Sequence, residues 1–290
     1  MTMTGGESTT SLKAAMDGTQ LLVRRWPTTG DPWARMLIVH GAGEHSGRYE
    51  RTGGLFADAG IDVTAFDLRG CGGSGGRRGD VERWDDFLDD VASMLDTVRY
   101  DASGPAAETP VILLGHSMGG LICTDEVLSG RAAPDLLVLS SPALGDGLPG
   151  WQHAIGPVMA RIFPTLAIKN SWGPEALSRD PEVGRLARED AGSPQSGTVR
   201  LGAGAFAAQT RVNELLPRLH VRTYVFHGED DSLVPASASA PFEGLPGVTR
   251  RLYPGLRHET MNEPEGPQVV ADVIAWLRAA VADLAVTTPS

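Results

Sequence analysis

Ser117 is the side chain of this sequence whose setting best suits it to attack a carbon atom. It stands in Val111-Ile112-Leu113-Leu114-Gly115-His116-Ser117-Met118-Gly119-Gly120, where an apolar run breaks into glycines and a serine before a helical pattern begins at Leu121. The stretch reads as strand, sharp turn and helix. In that setting Gly-x-Ser-x-Gly presents a hydroxyl nucleophile on a strained turn. Small residues must flank the serine, because the strand and helix backbones come too close for a Cβ to fit. Gly115, Gly119 and Gly120 meet that need.

A serine nucleophile needs a base, and the base needs an acid that orients it. The acid is sought in His227-Gly228-Glu229-Asp230-Asp231-Ser232-Leu233-Val234-Pro235, where three adjacent carboxylates compete and spacing does not separate them. The base is sought in Tyr253-Pro254-Gly255-Leu256-Arg257-His258-Glu259, and His258 is the only histidine after the acid candidates. His227 is its rival. The chain order of nucleophile, acid and base is the one that accompanies a serine between strand and helix. His40 and His116 read as structural imidazoles, and Cys123 as a small buried hydrophobe.

These residues require a scaffold. Residues 12–16 and 20–25 read as two strands around the hairpin signal Asp17-Gly18, after a frayed tail over 1–10. Met36-Leu37-Ile38-Val39 is apolar without alternation, as expected of a strand covered on both faces of a parallel sheet. A helix over 49–59 leads to a strand over 61–66 and then to a glycine-rich loop over 67–79. Phe87, Leu88, Val91, Met94, Leu95 and Val98 recur at helical spacing, and 135–140 is a further apolar strand. The rhythm then fails and resumes with strands over 222–226 and 249–253, a weak helix over 236–242 between them, and a closing helix over 267–284. This alternation predicts an α/β fold, a mostly parallel doubly wound sheet with an inserted helical cap. Residues 1–144 and 207–290 form the two parts of the core, and 145–206 the cap. Six prolines between 149 and 194 predict short helices there, angled to each other. Ligands of such sheets sit outside the carboxyl ends of the strands, where the loops bearing Ser117, the acid and His258 converge.

At 290 residues and 41% hydrophobic content the chain can bury a full core. Its net charge of −11 excludes a nucleic-acid groove and tight adsorption on anionic membranes. Cys71 and Cys123 lack metal-ligand spacing and form no disulfide framework, so no metal or other cofactor is expected. No signal segment or membrane-length apolar run is present, and the expectation is a soluble cytoplasmic protein.

The residues also carry a resemblance. His40-Gly41-Ala42-Gly43-Glu44-His45-Ser46-Gly47-Arg48-Tyr49, Asp67-Leu68-Arg69-Gly70, the serine turn, and Gly228-x-x-Asp231-x-x-Val234-Pro235 resemble the monoacylglycerol lipases and lysophospholipases of the α/β-hydrolase superfamily. The resemblance implies a serine hydrolase that cleaves carboxylic esters, monoacylglycerols foremost, with a small acyl ester as its partner. It selects Asp231 among the three acids and His258 as the base. It implies the backbone amides of Ala42 and Met118 as oxyanion donors, and Glu44 and Arg48 at the polar end of the pocket near the leaving alcohol. The alternatives are a lysophospholipase, a short-chain or xenobiotic carboxylesterase, a thioesterase, a peptidase acting on N-terminal proline, and a silent binding protein on the same scaffold. The stretch from His40 to Arg48 speaks against the peptidase, and an intact Ser117, Asp231 and His258 against the silent protein. Serine at 117 removes the dehalogenases and epoxide hydrolases.

The chain departs from the family at Cys71, where a histidine is usual, at Asp190-Ala191-Gly192 in place of Asp-Pro-Leu, and in the glycine content of 70–79. The cap offers Trp151, Ile155, Val158, Met159, Ile162, Phe163 and Leu166 near helical spacing across a break at Pro157. This apolar face either packs on the body or borders an acyl-chain tunnel that opens transiently onto lipid aggregates.

Overall fold

The side chains of one strand show how the sheet is buried. In the computed structural model, which describes residues 8–100, 109–131, 133–145, 150–170 and 173–287, strand β3 (Ala34–Val39) is buried throughout. Leu37 and Val39 join a cluster on one face, while Met36 and Ile38 join another cluster on the opposite face. This period of two explains the absence of polar alternation: both faces are covered. Each such leucine or isoleucine withdrawn from water contributes roughly 1.5–3 kcal/mol.

Strands β1 (Thr9–Ala14), β2 (Gln20–Trp26), β4 (Ile61–Phe66), β5 (Val111–His116), β6 (Leu136–Ser140), β9 (Arg222–Gly228) and β10 (Val248–Tyr253) complete the eight-stranded sheet. Its order is β1-β2-β4-β3-β5-β6-β9-β10. β1 and β2 form an antiparallel hairpin, β2 lies antiparallel to β4, and the strands from β4 to β10 run parallel. Thr9 and Thr10 belong to β1, so the frayed tail expected over 1–10 is shorter: pairing with Arg25 and Arg24 extends the hairpin. Residues 1–7 of that expectation lie outside the described residues.

Helices α1 (Glu50–Asp58) and α7 (Gly266–Thr287) cover one face of the sheet; α2 (Asp85–Tyr100) and α3 (Met118–Ser129) cover the other. The residues from Ala236 to Phe242 form a 3-10 helix with Pro241 inside.

Between β6 and β9 lie α4 (Gly150–Ile162), β7 (Ala167–Lys169), α5 (Pro181–Glu189), β8 (Ser196–Thr198) and α6 (Val199–Leu215), with β7 and β8 paired antiparallel. Two expectations are corrected here. Pro157 sits inside α4 and does not end it, and α6 is a 17-residue helix. The missing N–H of Pro157 is outweighed by packing of α4 on α6, where the His153 and Phe206 rings lie 4.1 Å apart. α6 also runs unbroken through the boundary placed after residue 206. Ile155, Val158, Ile162, Phe163 and Leu166 point to solvent, while Met159 is half-buried, so these five side chains do not pack on the body. The side chain of Trp151 lies outside the described residues.

The loop 70–79 folds back on itself. Four of its glycines have positive φ, and at Gly79 (φ +62°) a Cβ would stand 2.1 Å from the Ser196 carbonyl oxygen. The Asp67 carboxylate organises the loop, accepting from the amides of Ser46 and Gly73. Its glycine content thus follows from tight turns and contact with β8.

Candidate active site

The serine turn forms because β5 runs straight into α3. Ser117 has φ 53° and ψ −120° and is the N-cap of that helix, a conformation that costs a residue bearing a Cβ about 1–3 kcal/mol. Gly119 is obligatory: a Cβ there would lie 2.2 Å from the Val39 carbonyl oxygen. Met118 opens α3, so its amide is one of the unpaired donors at a helix start, where the dipole favours negative charge.

Ser117 Oγ lies 2.9 Å from His258 Nε2, and His258 Nδ1 lies 2.7 Å from Asp231 Oδ2. The carboxylate fixes the proton on Nδ1 and leaves Nε2 to accept from the serine. Asp231 is buried, whereas Glu229 and Asp230 are exposed. Its Oδ1 accepts from the amides of Leu233 and Val234, both at 2.9 Å, and Oδ2 accepts a second bond from His227 Nε2 at 3.0 Å. Burial would raise the pKa of Asp231, but the hydrogen bonds from His227 and His258 hold it well below the usual carboxylate range. Burial disfavours the imidazolium of His258, yet the hydrogen bond and charge of Asp231, with Glu259 and Glu44 beyond, raise its pKa above the ordinary value. His227 is therefore a second donor to the acid, held also by the Val234 carbonyl.

His40 and His116 are structural imidazoles held neutral by burial. His40 receives the Leu68 amide on Nε2 and faces the Gly41 carbonyl with Nδ1; burial lowers its pKa. His116 is 4.8 Å from the His258 ring, and burial with the charge of His258 brings its pKa to about 3. Cys123 is fully buried beside the serine turn, and burial raises its thiol pKa.

The loop after β3 brings Ala42, Glu44 and Arg48 to the same mouth. A pocket of about 560 Å³ is lined by Ala42, Glu44, Arg48, Ser117, Leu177 and His258, among others. Glu44 accepts from the Gly41 amide and from Tyr49 Oη. Arg48 donates through Nη2 to both oxygens of Glu259 at 2.7 Å and lies 3.6 Å from Glu44. Among the described residues no group of His, Cys, Asp and Glu is arranged to hold a metal ion.

Several residues here are beyond the motifs. Glu259 anchors Arg48, and its amide donates to the Leu177 carbonyl. Glu263, fully buried, accepts from the amides of Arg257 and Arg179 and from Ser178 Oγ. Ser141 Oγ donates to the His258 carbonyl at 2.9 Å. The position of Glu259 beside His258 was the available signal for the first; nothing local marks the others.

Residues 30–265 match the family model described as Hydrolase_4, serine aminopeptidase, S33. The chain belongs to this family. This serine hydrolase is 32% identical over 273 residues to a monoacylglycerol lipase of Mycolicibacterium smegmatis, covering 91% of this chain and 95% of the relative. Its fold is similar to the crystal structure of the Paleococcus ferrophilus monoacylglycerol lipase, with a TM-score of 0.80 and 27% identity, covering 90% of this chain and 99% of that one. It is also similar to a soluble variant of the Saccharomyces cerevisiae monoglyceride lipase, with a TM-score of 0.85 and 21% identity, covering 97% and 98% of the two chains. The α/β-hydrolase fold and the assignment as a serine ester hydrolase stand on these matches. Among the described residues no helix is long and apolar enough to cross a membrane.

Proposed function

We propose that this enzyme hydrolyses single-chain acyl esters, monoacylglycerols foremost, through an acyl-enzyme on Ser117. The observation that carries the reading is the line from Ser117 Oγ through His258 to Asp231, opening on a pocket with a polar end at Glu44, Arg48 and Glu259. Ser117 attacks the ester carbonyl as His258 takes its proton, and Asp231 stabilises the imidazolium. The amides of Ala42 and Met118 face the developing oxyanion. His258 then protonates the leaving alcohol, whose hydroxyls meet Arg48 and Glu44, and water releases the acid by the reverse proton path.

A peptidase cleaving free amino termini would need a carboxylate open to an ammonium group. Glu44 and Glu259 are already engaged by Arg48, Gly41, Tyr49 and Asn262, which favours the ester reading. We assign residues 145–206 as a cap, with the exposed Ile155, Val158, Ile162, Phe163, Leu166 and Ile168 as the face that meets lipid aggregates transiently. A cytoplasmic location is part of the same reading, supported by free thiols at Cys71 and Cys123.

The test is hydrolysis of monoacylglycerols, lysophospholipids and p-nitrophenyl butyrate by wild type and Ser117→Ala, with fluorophosphonate labelling. The expected result is turnover and labelling that vanish together in the variant. Wild-type turnover in Ser117→Ala would overturn the nucleophile assignment.

A further inference from the structure

The pocket that opens on Ser117 and His258 is unevenly charged. Among the described residues its wall carries three carboxylates, Glu44, Glu175 and Glu259, and one guanidinium, Arg48. The His116 imidazole in the same wall is held neutral by burial. Asp231, hydrogen-bonded to His258, adds a further negative charge behind the wall. Arg257 turns to the carbonyls of Glu175 and Ser178 and is not part of the lining.

Arg48 is the group that would bind an anion, and it is already taken. Its Nη2 donates to both oxygens of Glu259 at 2.7 Å, and its Nε lies 3.6 Å from Glu44. Glu259 also accepts from Asn262 Nδ2 at 2.8 Å, and Glu44 from the Gly41 amide and Tyr49 Oη, so both carboxylates are fixed beside Arg48. A phosphate could reach the guanidinium only by displacing a carboxylate that its other bonds hold in place. Glu175 is exposed. It lies between β6 and β9, yet its segment is fastened to the loop of His258: the Glu175 carbonyl accepts from Arg257 Nη1 at 2.7 Å, and the Leu177 carbonyl from the Glu259 amide at 2.8 Å. Its charge therefore stays with the pocket. A compact space of about 560 Å³ is about 10 Å across, so a group inside it lies within about one Debye length of the walls, about 8 Å at physiological ionic strength.

Resting on the proposed ester hydrolysis at Ser117, we infer that this pocket selects its substrates by charge: it takes esters of neutral and cationic alcohols and rejects those whose alcohol bears an anionic group, phosphate above all, with Glu175 and Glu259 setting the selection. A glycerol ester meets hydrogen-bonding groups and no repulsion. The same ester carrying a phosphate brings up to two negative charges against an excess of carboxylates. A quaternary ammonium donates no hydrogen bond and is favoured by the field alone.

Three esters with one acyl group isolate the alcohol: 1-butyrylglycerol, butyrylcholine and 1-butyrylglycerol 3-phosphate. Butyrylcholine is bulky like the phosphate ester but opposite in charge, which separates charge from size. Butyrate release is followed at low ionic strength and about pH 8, where the phosphate is almost fully ionised, with fluorophosphonate labelling in parallel. The expected wild-type kcat/KM is at least about tenfold higher for the glycerol and choline esters than for the phosphate ester, and the gap narrows as salt is raised. Glu175→Lys narrows the gap by at least about threefold, and Glu259→Gln, which loosens the hold on Arg48, narrows it as well. If Glu259→Gln does not fold, Glu175→Lys alone decides. A smaller wild-type gap, a choline ester cleaved no faster than the phosphate ester, or a gap unmoved in folded Glu175→Lys overturns the charge selection while leaving ester hydrolysis intact. No turnover of any of the three esters overturns the selection too, and if labelling is also absent the reading of Ser117 falls with it.

Discussion

In the proposed mechanism, Asp231→Asn isolates what the acid contributes. Asp231 Oδ1 holds the amides of Leu233 and Val234, and Oδ2 faces His227 and His258. An asparagine has one acceptor oxygen, and two fixed backbone donors claim it. Its NH2 group then faces His258 Nδ1, forces the proton onto Nε2 and removes the acceptor that Ser117 needs. A unit charge about 4 Å from the imidazolium is worth about 4 kcal/mol at an effective dielectric constant of about 20, close to a thousandfold in rate. With the wrong tautomer added, the expected loss in kcat is about 10⁴-fold. The assay is steady-state hydrolysis of p-nitrophenyl butyrate, with circular dichroism to show that the variant is folded. The same substitution moves the acid limb of kcat/KM. The wild-type base works when neutral, and its pKa is raised from 6.5, so activity falls as pH drops through a value above 6.5; in the variant this limb moves down. A folded Asp231→Asn within tenfold of wild type would refute the reasoning.

The remaining predictions concern stability and surface. Ser117→Gly melts higher than Ser117→Ala, because alanine keeps the Cβ at φ 53°; the difference is about 1 kcal/mol by thermal melts. Gly79→Ala destabilises by at least about 2 kcal/mol in urea titration, combining a left-handed φ with the clash on Ser196. Ile162→Ser, at an exposed position, leaves stability within about 0.5 kcal/mol but weakens sedimentation with lipid vesicles. Low pH also exposes the role of Asp231. Its pKa is depressed in the folded state, so its stabilisation is present above the unfolded value near 3.9 and is lost as pH falls through the folded value. Asp231→Asn therefore shows a shallower loss of melting temperature below about pH 4.

Much of the scaffold was legible because its signals are local. Ile61–Phe66 matched residue for residue, and Met36, Leu37, Ile38 and Val39 announced a strand buried on both faces. The choice among Glu229, Asp230 and Asp231 was not legible from physics, since it depends on which carboxylate turns inward under the amides of Leu233 and Val234. α6 escaped notice because Gly202, Ala203, Gly204, Ala205, Ala207 and Ala208 dilute the apolar periodicity. β7 and β8 are three residues each and pair across a long stretch of chain. Their pairing is a tertiary event with no local pattern to read. Glu263 is similar: its partners lie on segments far apart in sequence.

The exit from the cap is fastened to its entrance. Gln209 Nε2 donates to the Ala143 carbonyl at 3.0 Å, and Asn213 Nδ2 to the Leu144 carbonyl at 2.9 Å, so the second half of α6 grips the chain just where it leaves the sheet. A segment whose two ends are joined by the body is suited to exchange as a cassette, since a replacement meets one fixed junction. Chimaeras that keep residues 1–145 and resume at 207 would retain Gln209 and Asn213 but cut α6 in mid-helix. Joints placed before Val199, with the whole helix left on the recipient, would carry a foreign insertion without disturbing that junction.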